Sequence, residues 1–212
     1  MNNHIPDQFR TTLFETGLVA IIRCKDAGLA LPIGRTLVAN GVRLLEVTLT
    51  TPDALEAITT LSAEAPEGIW VGAGTVITAD DVERARGAGA RFAVTPGVCP
   101  AVAAASAVGL PTLAGAWTAS EVITAVADGA TAVKIFPASS GGVSHFKALR
   151  DPLPNVPLTA VGGVGLAEIP AFREVGAVGF GIGGPLVGDA ARGGSLDELA
   201  VRARQFVEAC RA

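Results

Sequence analysis

The sequence has 212 residues, of which half are apolar and 17% are charged, and its net charge is −4. This length suits one domain with a large core. The slight acidic excess gives no electrostatic reason to expect nucleic acid or an anionic membrane as a partner. Glycine does not recur at every third residue, which excludes a collagen-like chain. Three widely spaced cysteines (Cys24, Cys99 and Cys210) indicate free thiols in a reducing cytoplasm.

Two segments bear on targeting and on membranes. Met1 to Arg10 carries no apolar signal region. The uncharged stretch from Phe92 to Ser120 contains several prolines and glycines, which are at odds with a continuous membrane helix of about 20 residues. We therefore expect a buried strand, a helix and a second strand there.

Short β-branched runs alternate with alanine-rich helical runs along the whole chain. The predicted strands are Leu18–Cys24, Arg43–Leu49, Ile69–Val76, Arg91–Pro96, Pro111–Trp117, Ala132–Pro137, Val156–Val161 and Gly179–Ile182. They read as nearly continuous apolar runs, which is typical of parallel strands covered on both faces. Eight such strands, each followed by a helix, predict an α/β protein, a single (β/α)8 TIM barrel over residues 1–212, with residues 1–16 as an N-terminal extension or helix. An open doubly wound sheet is the alternative.

The segments between the strands carry the marks of helix ends. Thr78 to Asp81 and Thr118 to Glu121 have the pattern of capping boxes, and Ser195 is placed to begin a last helix that runs to about Arg211. Glycines stand where five of the helices should stop, at Gly41, Gly89, Gly109, Gly129 and Gly176.

In barrels of this kind the catalytic groups lie at the carboxyl ends of the strands, and Lys134 in the sixth strand is the most informative residue there. Of the three lysines in the chain, Lys25 stands in a charged loop and Lys147 on a predicted surface helix, whereas apolar strand residues flank Lys134. Burial lowers the pKa of a lysine and provides the free amine that carbonyl addition needs. The alternatives are a structural lysine paired with Glu46, or one that reaches the barrel rim.

Other strand ends also finish in polar groups. Glu46 is a candidate general acid/base, or half of a buried ion pair. Arg23 is a candidate carboxylate ligand through its fork of donors, or a partner in a salt bridge. Thr75 is placed to donate to the same carboxylate, or to form local hydrogen bonds as a strand residue. Thr95, Pro96 and Gly97 close the fourth strand.

Glycine pairs follow the seventh and eighth strands, where barrel enzymes often bind phosphate on backbone amides. They are Gly162-Gly163 and Gly183-Gly184, and tight turns are the other reason for such pairs. The chain has no dinucleotide fingerprint, P-loop or G-x-S-x-G elbow. His4 and His145 have no metal-ligand spacing, so we expect no metal, and His145 is predicted to lie on a surface helix.

Taken together, these residues resemble the bacterial aldolases that act on 2-keto-3-deoxy-6-phosphogluconate (KDPG), its galactonate epimer or 4-hydroxy-2-oxoglutarate (KHG). The motifs that carry the resemblance, in order from about Gly17 to Phe206, are Ala20-Ile-Ile-Arg23, Leu45-Glu-Val-Thr-Leu-Thr50, Gly72-Ala-Gly-Thr-Val76, Val94-Thr-Pro-Gly97, Val133-Lys-Ile-Phe-Pro-Ala138 and Ala160-Val-Gly-Gly-Val164.

The resemblance implies a lyase that cleaves a keto-acid sugar phosphate to pyruvate and an aldehyde, as a homotrimer and without a cofactor, and the free cysteines predict a cytoplasmic location. It implies that Lys134 forms the Schiff base and that Glu46 is the acid/base, acting through a bound water. It further implies that Arg23 and Thr75 hold the pyruvate carboxylate. The remaining site residues would be Pro96 and Phe136 as pocket walls, and Gly162, Gly163, Gly183 and Gly184 as phosphate ligands.

The sequence departs from the family pattern at three positions. Thr50 stands where some relatives have arginine, Val161 where many gluconate-specific members have threonine, and Gly184 where serine is common in the phosphate site. Gluconate and galactonate specificity therefore both stay open. So do two other functions: a phosphate-binding isomerase or epimerase with Glu46 as base, and a non-catalytic sugar-acid binding barrel.

Overall fold

The computed structural model describes residues 5–211, in which eight parallel strands close into one barrel in sequence order, with β8 paired to β1. The strands are β1 (Leu18–Ile22), β2 (Leu44–Thr48), β3 (Trp70–Gly74), β4 (Ala93–Val94), β5 (Thr112–Ala116), β6 (Ala132–Ile135), β7 (Leu158–Val161) and β8 (Gly179–Ile182). The predicted TIM barrel is thus confirmed, and the register Leu18↔Phe180 closes it.

Several of the predicted strands are too long at one or both ends. The fourth shows this best, since only Ala93–Val94 pair as a strand. Past them Thr95 bonds through its side chain, donating to the carbonyl of Gly97 at 2.7 Å and accepting from the amide of Gly115 at 3.1 Å. The polar residues that close the strands therefore belong to the loops at the rim.

One helix precedes β1, and the others follow the strands around the outside of the barrel. They are α1 (Ile5–Thr16), α2 (Ala30–Ala39), α3 (Ala54–Glu64), α4 (Ala79–Gly87), α5 (Pro100–Ala107), α6 (Ala119–Ala127), α7 (Ala138–Arg150), α8 (Ile169–Glu174), α9 (Gly184–Val187) and α10 (Leu196–Cys210). Two 3₁₀ turns, Ala27–Leu29 and Gly188–Arg192, complete the order.

The predicted helix ends are confirmed. Both capping boxes form, with Thr78 and Thr118 each accepting a hydrogen bond from the amide three residues later. Ser195 caps α10, and all five of the glycines predicted to stop helices have positive φ angles. His145 does lie on a helix, but it is half-buried, not a surface residue, because its ring stacks on Trp117 at 4.2 Å.

Side chains alternate along each strand, so residues two apart point into the barrel. Near the amino-terminal ends these side chains are apolar, and they pack around Phe9 and Leu13 of α1 in one cluster with Val19, Leu44, Trp70, Phe92, Val94, Leu113 and Ala132. Two residues further along β2 and β6 the same inward positions hold Glu46 and Lys134. The helix therefore closes one end of the barrel, and the ionisable side chains lie toward the other.

Candidate active site

A cavity of about 580 Å³ opens at the carboxyl ends of the strands. Each of the ten residues predicted for the site lines it, namely Arg23, Glu46, Thr75, Pro96, Lys134, Phe136, Gly162, Gly163, Gly183 and Gly184. They come from all strand ends except that of β5. The structure therefore brings together residues that lie up to 161 positions apart in the chain, from Arg23 to Gly184.

Lys134 lies in β6 between its neighbours Gly115 and Thr159, and only 7% of it is exposed. Its Nζ lies 4.8 Å from the centre of the Phe136 ring. Burial lowers the pKa of Lys134, the nearby Glu46 carboxylate opposes this shift, and the Arg23 guanidinium adds to it. The amine is thus held at the cavity floor with less tendency to carry a proton than an exposed lysine has.

Glu46 lies in β2 and is 2% exposed. Burial raises the pKa of its carboxyl, whereas Lys134 and Arg23 lower it. Room for this side chain comes from the neighbouring strand, because a β-carbon at Gly74 would overlap the Glu46 carboxylate. The second glycine of the Gly72-Ala-Gly motif, Gly74, is therefore required to leave space for Glu46, which the sequence alone did not reveal.

Lys134 and Glu46 act on each other electrostatically, but within residues 5–211 they form neither an ion pair nor a hydrogen bond. A structural lysine locked to Glu46 was one alternative from the sequence, and this geometry does not favour it. Both groups face the cavity. They are therefore available to a molecule bound between them.

Arg23 and Thr75 lie just past the ends of β1 and β3. Arg23 is exposed at the cavity and makes no ion pair with the part of the chain that the structure describes, so the predicted alternative of a salt bridge is not found. Thr75 is not a strand residue, because its φ of 59° places it in the left-handed region that a β-branched residue rarely adopts. Such strain is concentrated at functional sites.

Phe136 and Pro96 form apolar walls of the cavity. Phe136 is 39% exposed, and its ring packs on Gly162, where a β-carbon would lie only 2.9 Å from the ring. The ring is therefore held beside the lysine by the loop that follows β7.

The two glycine pairs differ in backbone conformation and in the space around them. Gly162 and Gly163 have φ angles of 92° and 72°, and a β-carbon at Gly163 would overlap Ser139. At Gly184, by contrast, a β-carbon would meet no atom within 4 Å. The first pair is required by backbone conformation and packing, whereas the second leaves open space that a ligand can enter.

The amides of these glycines are also available. Gly162, Gly163 and Gly183 donate no hydrogen bond from their backbone N–H to any partner in residues 5–211. All three line the cavity, as backbone ligands of an anion would.

Sequence reasoning missed Arg192, which also lines the cavity. It ends the 3₁₀ turn Gly188–Arg192 that follows α9. The signal available in the sequence was a cation within the glycine-rich segment after the eighth strand, at the end of the barrel where the other site residues were expected. With it, the ionisable residues that line the cavity are three basic ones, Arg23, Lys134 and Arg192, and one acidic one, Glu46.

Two kinds of feature are not found in the described chain. Residues 5–211 contain no group of three or more His, Cys, Asp or Glu side chains placed to hold a metal ion. Over the same range no helix has both the length and the apolar character needed to cross a bilayer. His4, considered with the metal ligands above, lies outside the described residues.

Comparison with known proteins places these features in a family. The family model for KDPG and KHG aldolase matches residues 10–200. The KHG/KDPG aldolase of Escherichia coli (strain K12) is 36% identical over 202 residues, which are 93% of this chain and 94% of that protein. A probable 2-dehydro-3-deoxy-6-phosphogalactonate aldolase of Rhizobium meliloti (strain 1021) is 35% identical over 189 residues, or 88% and 89% of the two chains.

A solved structure agrees. The KDPG aldolase of Legionella pneumophila, crystallised with pyruvate captured at low pH as a covalent carbinolamine intermediate, is 28% identical and has a TM-score of 0.77. The alignment covers 95% of each chain. The chain described here therefore belongs to the KDPG and KHG aldolase family, whose members are lyases.

Proposed function

We propose that this chain cleaves 2-keto-3-deoxy-6-phosphogluconate to pyruvate and glyceraldehyde 3-phosphate through a Schiff base on Lys134. The observation that carries the proposal is the position of Lys134, a buried amine with a lowered pKa that faces a cavity beside a buried, unpaired acid. The Legionella relative, in which pyruvate was captured as a carbinolamine, supports the same covalent chemistry.

The reaction begins when the neutral amine of Lys134 adds to the C2 carbonyl and the carbinolamine loses water. The iminium that forms withdraws electrons from the C3–C4 bond. Glu46, acting through a water molecule, takes the C4 hydroxyl proton as that bond breaks, so the aldehyde leaves and an enamine of pyruvate remains. Return of the proton to C3 and hydrolysis then release pyruvate and restore the amine.

The charges of the cavity suit the two ends of this substrate. In the proposal Arg23 and Thr75 bind the carboxylate next to the reacting carbonyl. Arg23 is close enough to Lys134 and Glu46 to act on both electrostatically, and Thr75 lines the same cavity. The free amides of Gly162, Gly163 and Gly183, together with Gly184, bind the phosphate at the other end. Pro96 and Phe136 exclude water from the imine.

A second candidate substrate is 2-keto-3-deoxy-6-phosphogalactonate. The Rhizobium relative with that name is as similar to this chain as the Escherichia coli KHG/KDPG aldolase is, and Val161, the residue at one of the departures noted above, lines the cavity. Cleavage of 4-hydroxy-2-oxoglutarate to pyruvate and glyoxylate is a further activity that we propose to test.

Covalent trapping tests the chemistry. Pyruvate with borohydride should reduce the imine and attach the pyruvate carbons to Lys134, located by peptide mass mapping. Lys134→Ala should abolish this adduct, and Lys147→Ala, which removes an exposed lysine that pairs with Asp151, should leave it intact. An adduct at Lys25 or Lys147, or none at all, contradicts the proposal and favours the isomerase or binding-barrel alternatives.

Substrate choice needs a separate measurement. Cleavage rates for the gluconate and galactonate phosphates should be compared under the same conditions, with 4-hydroxy-2-oxoglutarate as the phosphate-free substrate. We expect the gluconate phosphate to have the highest kcat/KM. A higher kcat/KM for the galactonate phosphate would replace the first candidate substrate by the second without changing the role of Lys134.

Three further features belong to the proposal. The lysine imine itself serves as the electron sink, so the mechanism uses no metal or organic cofactor. We propose a homotrimer, to be checked by sedimentation or native mass spectrometry, and a cytoplasmic location, in keeping with cysteines that are all free.

A further inference from the structure

Arg192 lines the same cavity as the two glycine pairs and has no role in the chemistry above. We propose that its guanidinium binds the substrate phosphate and determines the preference for phosphorylated over phosphate-free substrates. This inference rests on the proposed function, since it concerns the same cavity. It assigns a specificity-determining residue that the sequence did not single out.

The turn that carries Arg192 is firmly held. Arg202 of α10 donates to the carbonyls of Leu186 and Val187 at 2.8 and 3.0 Å and to the Asp189 carboxylate at 3.3 Å. Ala190 in the middle of the turn is 1% exposed. The backbone of Arg192 is therefore positioned by its own segment and does not need its side chain for anchoring.

The Arg192 side chain has no other partner in the part of the chain that the structure describes. Arg192 is exposed and makes no hydrogen bond or ion pair within residues 5–211, whereas the acid of its own turn, Asp189, is already paired with Arg202. Several other exposed arginines pair with nearby carboxylates, as Arg35 does with Glu64 at 2.7 Å. An unpaired guanidinium in a cavity that three free backbone amides also line suits an anion with several acceptor oxygens.

The two arginines of the cavity differ in their surroundings. Arg23, just past the end of β1, acts electrostatically on both Lys134 and Glu46, whereas Arg192 lies in the 3₁₀ turn that follows Gly183 and α9. The two arginines therefore serve different ends, Arg23 the reacting end and Arg192 the distal end among Gly183, Gly184 and the 3₁₀ turn. A substrate with an anion at each end matches this arrangement, and a phosphate monoester is the distal anion we infer.

The glycine at position 184 is a departure from the family pattern at the same end of the cavity. This chain lacks a side-chain hydroxyl at that position, where the family pattern described above commonly has serine. The arginine supplies a charged donor at the same end of the cavity, so the phosphate site loses one hydroxyl and retains a side-chain ligand.

Arg192→Ala tests the inference by a split between KM and kcat. For the phosphorylated substrate we expect KM to rise about tenfold or more, the range for loss of a hydrogen bond to a charged group, with kcat nearly unchanged. Kinetics on phosphate-free 4-hydroxy-2-oxoglutarate should not change. Arg192→Lys, which keeps the charge and loses the fork, should lie in between, and Arg86→Ala, which removes an exposed arginine of α4, should match the parent protein.

Calorimetry with glycerol 3-phosphate provides a readout without turnover, and its affinity should fall by a similar factor in Arg192→Ala. Adding Gly184→Ser to that variant should restore part of the affinity, because a side chain at this position has free space. An unchanged KM and unchanged glycerol 3-phosphate affinity, or equal losses on both substrates, would overturn the inference. The pyruvate adduct at Lys134 distinguishes a failure of this inference from a failure of the proposed function. If the Schiff-base chemistry holds, the adduct forms in both the parent protein and Arg192→Ala. If that chemistry is wrong, the adduct does not form even in the parent protein.

Discussion

The two ends of the barrel are built from the same eight strands and differ in almost every physical respect. At the amino-terminal end, α1 inserts Phe9 and Leu13 among inward-facing apolar side chains, and all of them are buried. At the carboxyl end, two residues further along the strands, the inward positions hold Glu46 and Lys134 around a cavity of about 580 Å³.

The difference shows how one fold separates stability from chemistry. Close apolar packing at the closed end contributes to the free energy of folding. The open end lowers the stability of the fold instead, because an acid and an amine are buried there without being paired, and their burial costs solvation free energy. Changes at the closed end should therefore affect mainly stability, and changes at the open end mainly activity.

The largest effect is expected at the open end, from Glu46→Gln. This change keeps the shape and removes the carboxylate that accepts the C4 proton, so kcat for cleavage should fall by about 10²–10⁴-fold. The pyruvate adduct at Lys134 should still form. Steady-state kinetics measure kcat, and borohydride trapping on the same preparation measures the adduct. Glu64→Gln, on the exposed surface of α3, is the control. A Glu46→Gln variant that keeps most of its kcat would show that Glu46 is not the acid/base.

Phe9→Ala should have the complementary effect at the closed end. The ring is fully buried and lies 4.9 Å from Phe92 and 5.5 Å from Trp70, measured between ring centres. We expect the free energy of unfolding to fall by about 3–5 kcal/mol, with kcat unchanged below the unfolding transition. Phe14→Ala on the same helix is the matched control, since Phe14 is 41% exposed. Should Phe9→Ala lower kcat in fully folded protein, the separation between the two ends would not hold.

The smallest effect is a gain in stability from Lys134→Met combined with Glu46→Gln. Burial lowers the pKa of Lys134 from 10.5 and raises the pKa of Glu46 from 4.5. The free-energy cost of burying the charged form of Lys134 is therefore present at low pH and is lost as pH rises toward 10.5. The cost of burying the charged form of Glu46 is absent below pH 4.5 and grows as pH rises through the folded pKa of that group. Both costs act together near neutral pH, where the double variant should be about 1–2 kcal/mol more stable than the parent.

Denaturant unfolding of both proteins across the pH range measures this gain. The difference between them should be largest between pH 4.5 and 10.5 and should shrink on either side. Lys147→Met, at an exposed lysine that pairs with Asp151, should show no comparable gain. A double variant less stable than the parent at neutral pH would mean that the two groups stabilise each other more than burial costs them.

Local patterns in the chain determined the fold class, the eight repeats and the helix ends. Apolar strand runs, the two capping boxes and the glycines after the helices each act through neighbouring residues, so their effects can be predicted from a few positions. The same reasoning identified Lys134, because a lysine flanked by apolar strand residues is unusual wherever the strand lies. Polar groups and glycine pairs at the strand ends, together with the family resemblance, gave the remaining nine predicted site residues, and all of them line the cavity.

Tertiary structure alone decided the rest. Whether Glu46 pairs with Lys134 depends on the register between strands, on the room that Gly74 leaves and on the closure of β8 onto β1. The left-handed backbone of Thr75 and the position of Arg192 in the cavity lining likewise depend on contacts with distant parts of the chain. Long-range packing selects among conformations that local sequence leaves nearly equal in free energy, which is why these features could not be predicted from the residues around them.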